Sequence, residues 1–311
     1  MKSILTDRVV KILKDHDFSV CDCQSIQSCF DIFAKKEKVL LIKILMNIEG
    51  LTRASAMELK FASIALSGAP LLIGERMKNA NLRDGVVYTR YGIHAFTCST
   101  LRYILDEISP LIYSVRGDYV VNVGSELLKN LRTDAGMTMQ ELADELKISK
   151  QSIYRYEHSG VIPLNIVSEL LVFFEDFNES DIKFKNNIFN EQKAGEKNRE
   201  EIKSEIIAGH LTDLMKKVIC EFNHIGFSTT SLNAPFDILA EEEEMVFTVV
   251  SNDLRTLKKK IKIVRKISDM TGSYKICVSE KKQDVDIFII KPDELKEIGN
   301  SKELLKLLID G

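Results

Sequence analysis

Apolar residues recur along this chain at two spacings, and the spacing changes with position. Between residues 127 and 174 they recur every three or four residues, which is typical of helices that bury one face. Towards both ends of the chain, helical spacing alternates with short apolar runs such as VLLIKIL at 39–45, which favour buried strands. The pattern therefore predicts a multi-domain protein in which an all-helical central domain lies between two α/β domains.

The central segment begins with two short helices whose ends can be placed. The first begins at Leu127 and ends at Gly136, a residue that accepts the left-handed conformation of a helix C-cap. Thr138 is expected to cap the second helix, and Glu141 three residues later completes a capping box. Ala143 is small at the point where two helices of such a unit approach closely. These features predict a helix-turn-helix unit.

A third helix follows and is expected to present polar side chains outward. Ile148 should fill the turn and Ser149 should cap the helix, while Ile153 and Tyr156 face the core. Polar residues on the outer side of such a helix can contact base edges in a DNA major groove. The predicted DNA-binding residues are Thr138, Gln140, Ser149, Lys150, Gln151, Ser152, Tyr154 and Arg155.

The string LR…G(M)T..ELA..L.IS..SI.RYE..G resembles the Cro and lambda-repressor type of DNA-binding domain. The resemblance implies a five-helix domain over residues 119–182 that binds double-stranded DNA through the third helix. It also implies a structural ion pair between Arg132 and Glu157. Members of that family commonly carry a glutamine directly after the residue that caps the second helix. Here that position holds Met139, and Gln140 comes one residue later.

The charge of the central segment limits how this domain binds DNA. Residues 124–173 contain five basic and seven acidic residues. Non-specific affinity comes mainly from Lys and Arg that neutralise phosphates, so tight binding by a monomer is not expected. A homodimer would double the contacts, and we expect one. The alternative is that the same scaffold serves protein–protein contacts without DNA.

The whole chain has 311 residues, of which 45% are apolar and 29% charged, with a net charge of −3. A chain of this length is too long for a single core. Its apolar runs are far shorter than a membrane span, and the amino terminus is interrupted by charges, unlike a secretion signal. We therefore expect a cytoplasmic protein that has no membrane partner.

A degenerate repeat flanks the central segment. FDIFAKKEKVLLIKIL at 30–45 parallels FDILAEEEEMVFTVVS at 236–251, and each follows an amphipathic helix and a short strand. Each also precedes a long helix and two strands. The two strands are predicted in APLLIGER and GVVYTRYGIHAF in the first copy and in SYKICVSE and DVDIFIIK in the second. The repeat predicts two similar α/β domains at 1–117 and 206–311, with 183–205 as a polar linker.

The repeat resembles the core of the PD-(D/E)xK nucleases and Holliday-junction resolvases, a restriction-endonuclease-like fold. In those enzymes an Asp and a Glu hold a divalent metal, and a Lys assists the attack by water. Asp31 and Asp237 match the Asp. The Glu and Lys positions hold Lys43 and Leu45 in the first copy and Val249 and Ser251 in the second. These departures from the pattern argue for inactive domains without a metal, and we interpret the two aspartates as carboxylates that each cap a hairpin.

The second repeat contains a basic helix, NDLRTLKKKIKIVRKIS. Its predicted inward stripe is Leu254, Leu257, Ile261, Val264 and Ile267. The remaining surface carries Lys258, Lys259, Lys260, Lys262, Arg265 and Lys266. We interpret this surface as a solvated face that balances Glu241 to Glu244, with contact to phosphates as the alternative.

The sequence gives little support for a catalytic, metal-binding or cofactor-binding site. The five histidines fall in unrelated segments, the glycines form no phosphate loop, and the six cysteines are expected to be neutral thiols rather than zinc ligands. We therefore predict no catalytic residue, no metal and no cofactor. A DNA-processing enzyme with a residual nuclease fold is the less favoured alternative, and the flanking domains are compatible with a small-molecule effector. Together with these domains, the chain is identified as a member of the archaeal family of helix-turn-helix transcriptional regulators.

Overall fold

The computed structural model describes residues 2–108, 112–115, 117–178, 182, 188–189, 211–281 and 285–310. The fold is mixed α/β. The chain divides into two compact units, one from within residues 1–45, 50–72 and 189–311 and the other from within 46–49 and 73–188. The predicted linker at 183–205 lies outside the described residues except for residues 188 and 189.

The first copy of the repeat begins the first unit in the predicted order of elements. These are α1 (Lys2–Asp15), β1 (Ser19–Asp22), β2 (Ile32–Lys35), β3 (Val39–Ile44), α2 (Arg53–Ala65) and β4 (Gly68–Ile73). The strands lie in the order β1-β2-β3-β4, and both β1–β2 and β2–β3 are antiparallel. Helix α1 buries Leu5, Val9 and Leu13 at helical spacing, as its amphipathic sequence predicts.

The second unit contains a mixed sheet and the central helices. Its first elements are β5 (Arg76–Met77), β6 (Ala80–Asn81), β7 (Val86–Arg90), β8 (Ile93–Phe96) and α3 (Cys98–Leu105). They are followed by β9 (Ile112–Val115), β10 (Asp118–Asn122), α4 (Leu127–Asp134), α5 (Met139–Glu145), α6 (Lys150–Ser159), β11 (Val161–Pro163) and α7 (Leu164–Phe173). The strand order is β8-β7-β9-β10-β11.

One predicted strand of the first repeat is instead a hairpin. The segment GVVYTRYGIHAF was expected to form one strand, but it forms β7 and β8, which pair antiparallel from Tyr88–Ala95 to Arg90–Ile93. The two residues of the turn, Tyr91 and Gly92, both have positive φ, at 50° and 75°. Such a two-residue turn matches the twist of the two strands that it joins.

The central domain is not purely helical, contrary to the prediction. We refer to the described residues from 119 to 178 as the HTH domain. It contains four helices, α4 to α7, and the expected fifth helix has no counterpart among these residues. Between α6 and α7 the short strand β11 pairs antiparallel with β10, placing Ile162 beside Val121. Both residues are buried in the same core as the helices, which explains why this segment is extended.

The second copy of the repeat completes the first unit. Its elements are α8 (Asp213–His224), β12 (Ser228–Ser231), β13 (Ile238–Glu241), β14 (Met245–Val250), α9 (Leu254–Thr271), β15 (Tyr274–Val278), β16 (Ile289–Ile290), α10 (Pro292–Lys296) and α11 (Ser301–Asp310). Strands β12 to β14 are antiparallel, whereas β14–β15 and β15–β16 are parallel. The order of helix, three strands, helix and two strands is the predicted one.

The two copies of the repeat pack against each other within the first unit. Helix α9 lies on β14 and β15 of its own copy and also contacts β1 and β2 of the other. It therefore buries Ile263 in addition to four residues of the predicted stripe. The fifth, Leu254, is 40% exposed because it is the first residue of the helix, so the prediction was wrong there. The backbone N–H of Cys29 donates to the carbonyl of Asn233 at 2.7 Å, which joins the two copies directly.

Within the described part of the chain, no helix is long and apolar enough to cross a membrane.

Candidate nucleic-acid interface

The first two helices of the HTH domain have the predicted ends. Gly136 follows α4 with a φ of 67°. The hydroxyl of Thr138 accepts a hydrogen bond from the N–H of Glu141 at 3.2 Å, and the Glu141 carboxylate accepts one from the N–H of Thr138 at 2.7 Å. The backbone donor of Thr138 holds the pKa of Glu141 below its ordinary value. The capping box thus fixes where α5 begins.

The turn between α5 and α6 contains a residue that sequence analysis did not single out. Lys147 has a φ of 52°, in the left-handed region where glycine is more usual. Its side chain is exposed shortly before α6 begins. Ile148 fills the turn as predicted, since it packs on the core and its N–H donates to the carbonyl of Ala143 at 2.9 Å. The sequence signal that could have identified Lys147 is a lysine at a turn position where glycine is more usual.

Helix α6 separates an inner from an outer face as the sequence predicts. Ser149 caps it, because its hydroxyl accepts a hydrogen bond from the N–H of Ser152 at 3.1 Å. Ile153 and Tyr156 are buried. The outer residues Lys150, Gln151, Tyr154 and Arg155 are exposed, and Ser152 is half-buried. The Tyr154 ring also lies 3.8 Å from that of His158, a neighbour that sequence analysis did not identify.

The other two predicted residues lie at the start of α5. Thr138 is exposed, and its hydroxyl already serves as the helix cap. Gln140 is also exposed, and its side-chain amide donates to Asp144 at 2.8 Å. Both residues therefore lie at the N-terminal end of α5, where the capping box already bonds two of the backbone N–H groups.

A buried ion pair joins α4 to the end of α6. The Nε of Arg132 lies 2.6 Å from Oε1 of Glu157, and Nη2 donates to Oε2 at 3.3 Å. Nη1 donates to the carbonyl of Met137 at 2.7 Å, so the same guanidinium also holds the turn after α4. The bond to Glu157 raises the pKa of Arg132 above its ordinary value. The resemblance to repressor domains implied this pair, and the structure contains it.

Helix α6 is also held at its C-terminal end, by the residues that follow β10. Gly160 ends α6 with a φ of 66°, and its carbonyl accepts a hydrogen bond from the N–H of Val123 at 2.8 Å. A Cβ at this position would lie 2.5 Å from the carbonyl carbon of Gly124 and 2.7 Å from the nitrogen of Ser125. The chain before α4 and the chain after α6 therefore touch backbone to backbone. Sequence analysis missed this contact. The signal available for it was the glycine that begins the segment GVIP at 160–163.

The surface of the HTH domain also contains an apolar groove. It is lined by residues of the α5–α6 turn and of α7, and it includes two exposed apolar side chains, Val172 and Phe173. Charged residues of both signs also line it, namely the acidic Glu145 and Glu169 and the basic Lys147. An exposed apolar patch with a polar rim is typical of an interaction surface.

The two aspartates of the nuclease-like domains are engaged with lysines and with the backbone. Asp31 accepts hydrogen bonds from the N–H of Ile44 at 2.7 Å and from Lys2 at 3.0 Å, and Lys43 lies 3.6 Å away. Asp237 accepts from the N–H of Val250 at 2.9 Å and from Lys260 at 2.5 Å. Each carboxylate therefore holds its hairpin and is neutralised by an ammonium group. Lys260 was predicted to be solvated, and this was wrong because it turns inward to Asp237.

This donor set does not fit a divalent metal. Magnesium requires several oxygen ligands, and here a lysine takes the place beside each aspartate that the ion would need. No group of three or more His, Cys, Asp or Glu side chains that could hold a metal occurs within the described residues. Burial raises the pKa of the Cys29 and Cys277 thiols to about 12, which keeps both neutral. Cys220, in contrast, is exposed.

Comparison with known families agrees with both resemblances. Residues 2–110 match the family described as "PD-(D/E)XK superfamily domain". Residues 128–174 match the family described as "Helix-turn-helix". The first match covers the first copy of the repeat, and the second covers the helices α4 to α7. No solved structure matches the chain.

Several archaeal proteins are similar to this chain over almost its full length. One from Methanocaldococcus jannaschii is 30% identical over 98% of this chain and 96% of its own length. One from Archaeoglobus fulgidus is 29% identical over 99% of this chain and 98% of its own length. Both carry the name "Putative HTH-type transcriptional regulatory protein". This extent of identity, together with the helix-turn-helix geometry, shows that the chain belongs to the family of archaeal HTH-type transcriptional regulatory proteins.

Proposed function

We propose that the protein is a transcription regulator that binds specific sequences of double-stranded DNA by inserting α6 into the major groove. The observation that carries this proposal is the exposed row on α6, with Lys150, Gln151 and Arg155 outward on a helix fixed at both ends. A glutamine can bond an adenine edge with two hydrogen bonds, and an arginine can bond a guanine edge likewise. The N-terminus of α6, with the exposed Lys150 at its first residue, supplies donors for the phosphates that position the helix.

We further propose that the protein acts as a homodimer. The acidic balance of the HTH domain disfavours tight binding by one copy, and two copies would present two recognition helices to adjacent turns of the duplex. The apolar groove with Val172 and Phe173 supports this, because burying both side chains against a second copy removes them from water. Lys147 and Glu169 on its rim supply opposite charges for an interface that is the same on both copies.

Selection of DNA fragments by the purified full-length protein tests the proposal. Genomic fragments are incubated with the protein across a range of salt concentrations, and the bound fragments are sequenced. We expect an enriched sequence that contains two related half-sites separated by about 10 base pairs or a multiple of that spacing. Recovery of no fragment above background would indicate that the scaffold serves protein contacts instead.

Alanine substitution of the outer residues of α6 should lower the sequence preference of the protein. Each of Gln151→Ala and Arg155→Ala removes about 1 to 3 kcal/mol of discrimination, because a bidentate bond to a base edge is lost. Binding is measured on the selected site and on an unrelated duplex, and the ratio of the two affinities is compared with that of the wild type. Lys129→Ala is the control, since this exposed cation lies on α4 outside the proposed contact set. Wild-type ratios in both α6 variants would show that the recognition face is assigned wrongly.

We also propose that neither nuclease-like domain cleaves DNA. Both candidate metal-binding aspartates are bound to lysines, and a second acidic ligand is missing from the matching position in each copy. Without a held metal, the attacking water is not activated and the leaving oxygen is not stabilised. We expect no cleavage of linear, branched or single-stranded DNA with magnesium or manganese. Cleavage by the wild type that disappears in Asp31→Ala or Asp237→Ala would contradict this.

A further inference from the structure

Helix α9 carries a basic surface, most of which forms no ion pair with the described residues of the first unit. Two of its seven cations form ion pairs, Lys260 with Asp237 and Arg265 with Asp286. The other five are exposed and make no ion pair within the described residues. These five, which we call the α9 basic face, are Arg255, Lys258, Lys259, Lys262 and Lys266.

The four glutamates at 241–244 are too far away to balance most of this face. Strands β14 and β15 are parallel, with Val246 beside Tyr274. Val246 comes just after the four glutamates, and Tyr274 comes three residues after the last residue of α9. The glutamate hairpin therefore lies towards the C-terminal end of the helix. Lys258 is thirteen residues before that end, which is about 20 Å along the axis. Charges at that distance are largely screened, because the Debye length is about 8 Å at physiological ionic strength.

Three of the lysines form a straight row. Lys258, Lys262 and Lys266 are four residues apart, so they lie on one side of α9 at steps of about 6 Å. They border a groove of 370 Å³ whose other wall includes Val285 and Asp286. Asp286 is bound to Arg265, so its charge is already matched. A straight row of ammonium groups beside a groove fits a linear polyanion better than a compact ligand.

We propose that the α9 basic face binds phosphates of the DNA backbone outside the sequence read by α6. This inference rests on the proposed function, and it explains how a chain with an acidic HTH domain can hold DNA. Residues 124–173 contribute only five cations, of which Arg132 is buried in its ion pair with Glu157. The α9 basic face adds five exposed cations from the same chain. Contacts of this kind supply affinity and position but carry no sequence information.

The test replaces the row with neutral residues in the full-length protein. Lys258→Gln, Lys262→Gln and Lys266→Gln are combined, and binding to the selected site and to an unrelated duplex is measured between about 50 and 200 mM salt. Neutralising three phosphates accounts for a slope of about 2.7 in the plot of log affinity against log salt, and we expect the magnitude of the slope to fall by about 2 to 3. Affinity for both duplexes should fall by a similar factor, leaving their ratio unchanged.

Two further variants make the outcome specific to this face. The control triple variant combines Lys11→Gln, Lys14→Gln and Lys38→Gln. It removes the same charge from exposed positions of the same unit and should keep the wild-type slope. Arginine at the three α9 positions should also keep it, because the charge is retained. A wild-type slope in the glutamine triple, or an equal loss in the control triple, would overturn the inference while leaving the proposed function intact. Failure of the wild-type protein to prefer any sequence would instead reject the proposed function.

Discussion

Replacing Gly160 with alanine is expected to unfold the HTH domain or to loosen it severely. Gly160 has a φ of 66°, and alanine in this left-handed conformation costs about 1 to 2 kcal/mol. The larger cost comes from the contact with Gly124 and Ser125, whose backbone atoms lie 2.5 and 2.7 Å from the added Cβ. Backbone atoms cannot turn away as a side chain can, so the segment between β10 and α4 must move away from the end of α6. Hydrogen exchange of peptides from α6 in the full-length protein measures the loss.

Gly136→Ala is the matched control for this substitution. Gly136 has almost the same φ, 67°, but an added Cβ would meet no atom within 4 Å among the described residues. This variant should therefore lose only the conformational cost of about 1 to 2 kcal/mol. Equal protection of α6 in the two variants would show that the backbone contact at Gly160 contributes nothing to stability.

The ends of the HTH helices could be predicted because their determinants are local. Thr138 with Glu141, and Ser149 with Ser152, form their hydrogen bonds within three residues of the chain. A short pattern of residue types is therefore sufficient to place each helix start. The Arg132–Glu157 pair spans 25 residues and followed only from the resemblance to repressor domains.

The strands of the second unit show where sequence reasoning fails. Strand β11 has three residues, which is too short for an alternating pattern, and its partner β10 lies some forty residues earlier. The turn between β7 and β8 is Tyr-Gly rather than the Asn-Gly that signals such a hairpin. Both elements depend on partners that are distant or atypical, so a local pattern could not reveal them.

In the nuclease-like domains, too, local features could be predicted and contacts between distant residues could not. The repeat predicted the order of their elements, because each helix and strand has its own apolar period. It could not predict which of six neighbouring cations turns inward, since Lys260 reaches Asp237 across the fold. Nor could it predict the burial of Ile263, because that side of α9 is covered by the other copy of the repeat. A helix with two packed sides departs from the single stripe that amphipathic analysis assumes.

Breaking the ion pair between Arg132 and Glu157 should be the other large effect on the HTH domain. In Arg132→Ala the Glu157 carboxylate, whose side chain is 2% exposed, is left buried without a counter-ion, and the carbonyl of Met137 loses its donor. Removing one partner of a buried pair costs about 3 to 5 kcal/mol. Glu157→Ala should cost less than Arg132→Ala, because the Arg132 side chain is 10% exposed and keeps its bond to Met137. Thermal melts of the full-length variants, followed by hydrogen exchange of α4 and α6 peptides, measure both losses.

The double variant Arg132→Met with Glu157→Leu separates the ion pair from the packing around it. Apolar residues of similar volume remove both charges together, and such a replacement is often neutral or stabilising when no buried charge remains. We therefore expect the double variant to be more stable than either alanine variant, so the two sites are not additive. Losses that simply add, or alanine variants with wild-type melting and exchange, would show that this pair does not hold α6 against the first helix.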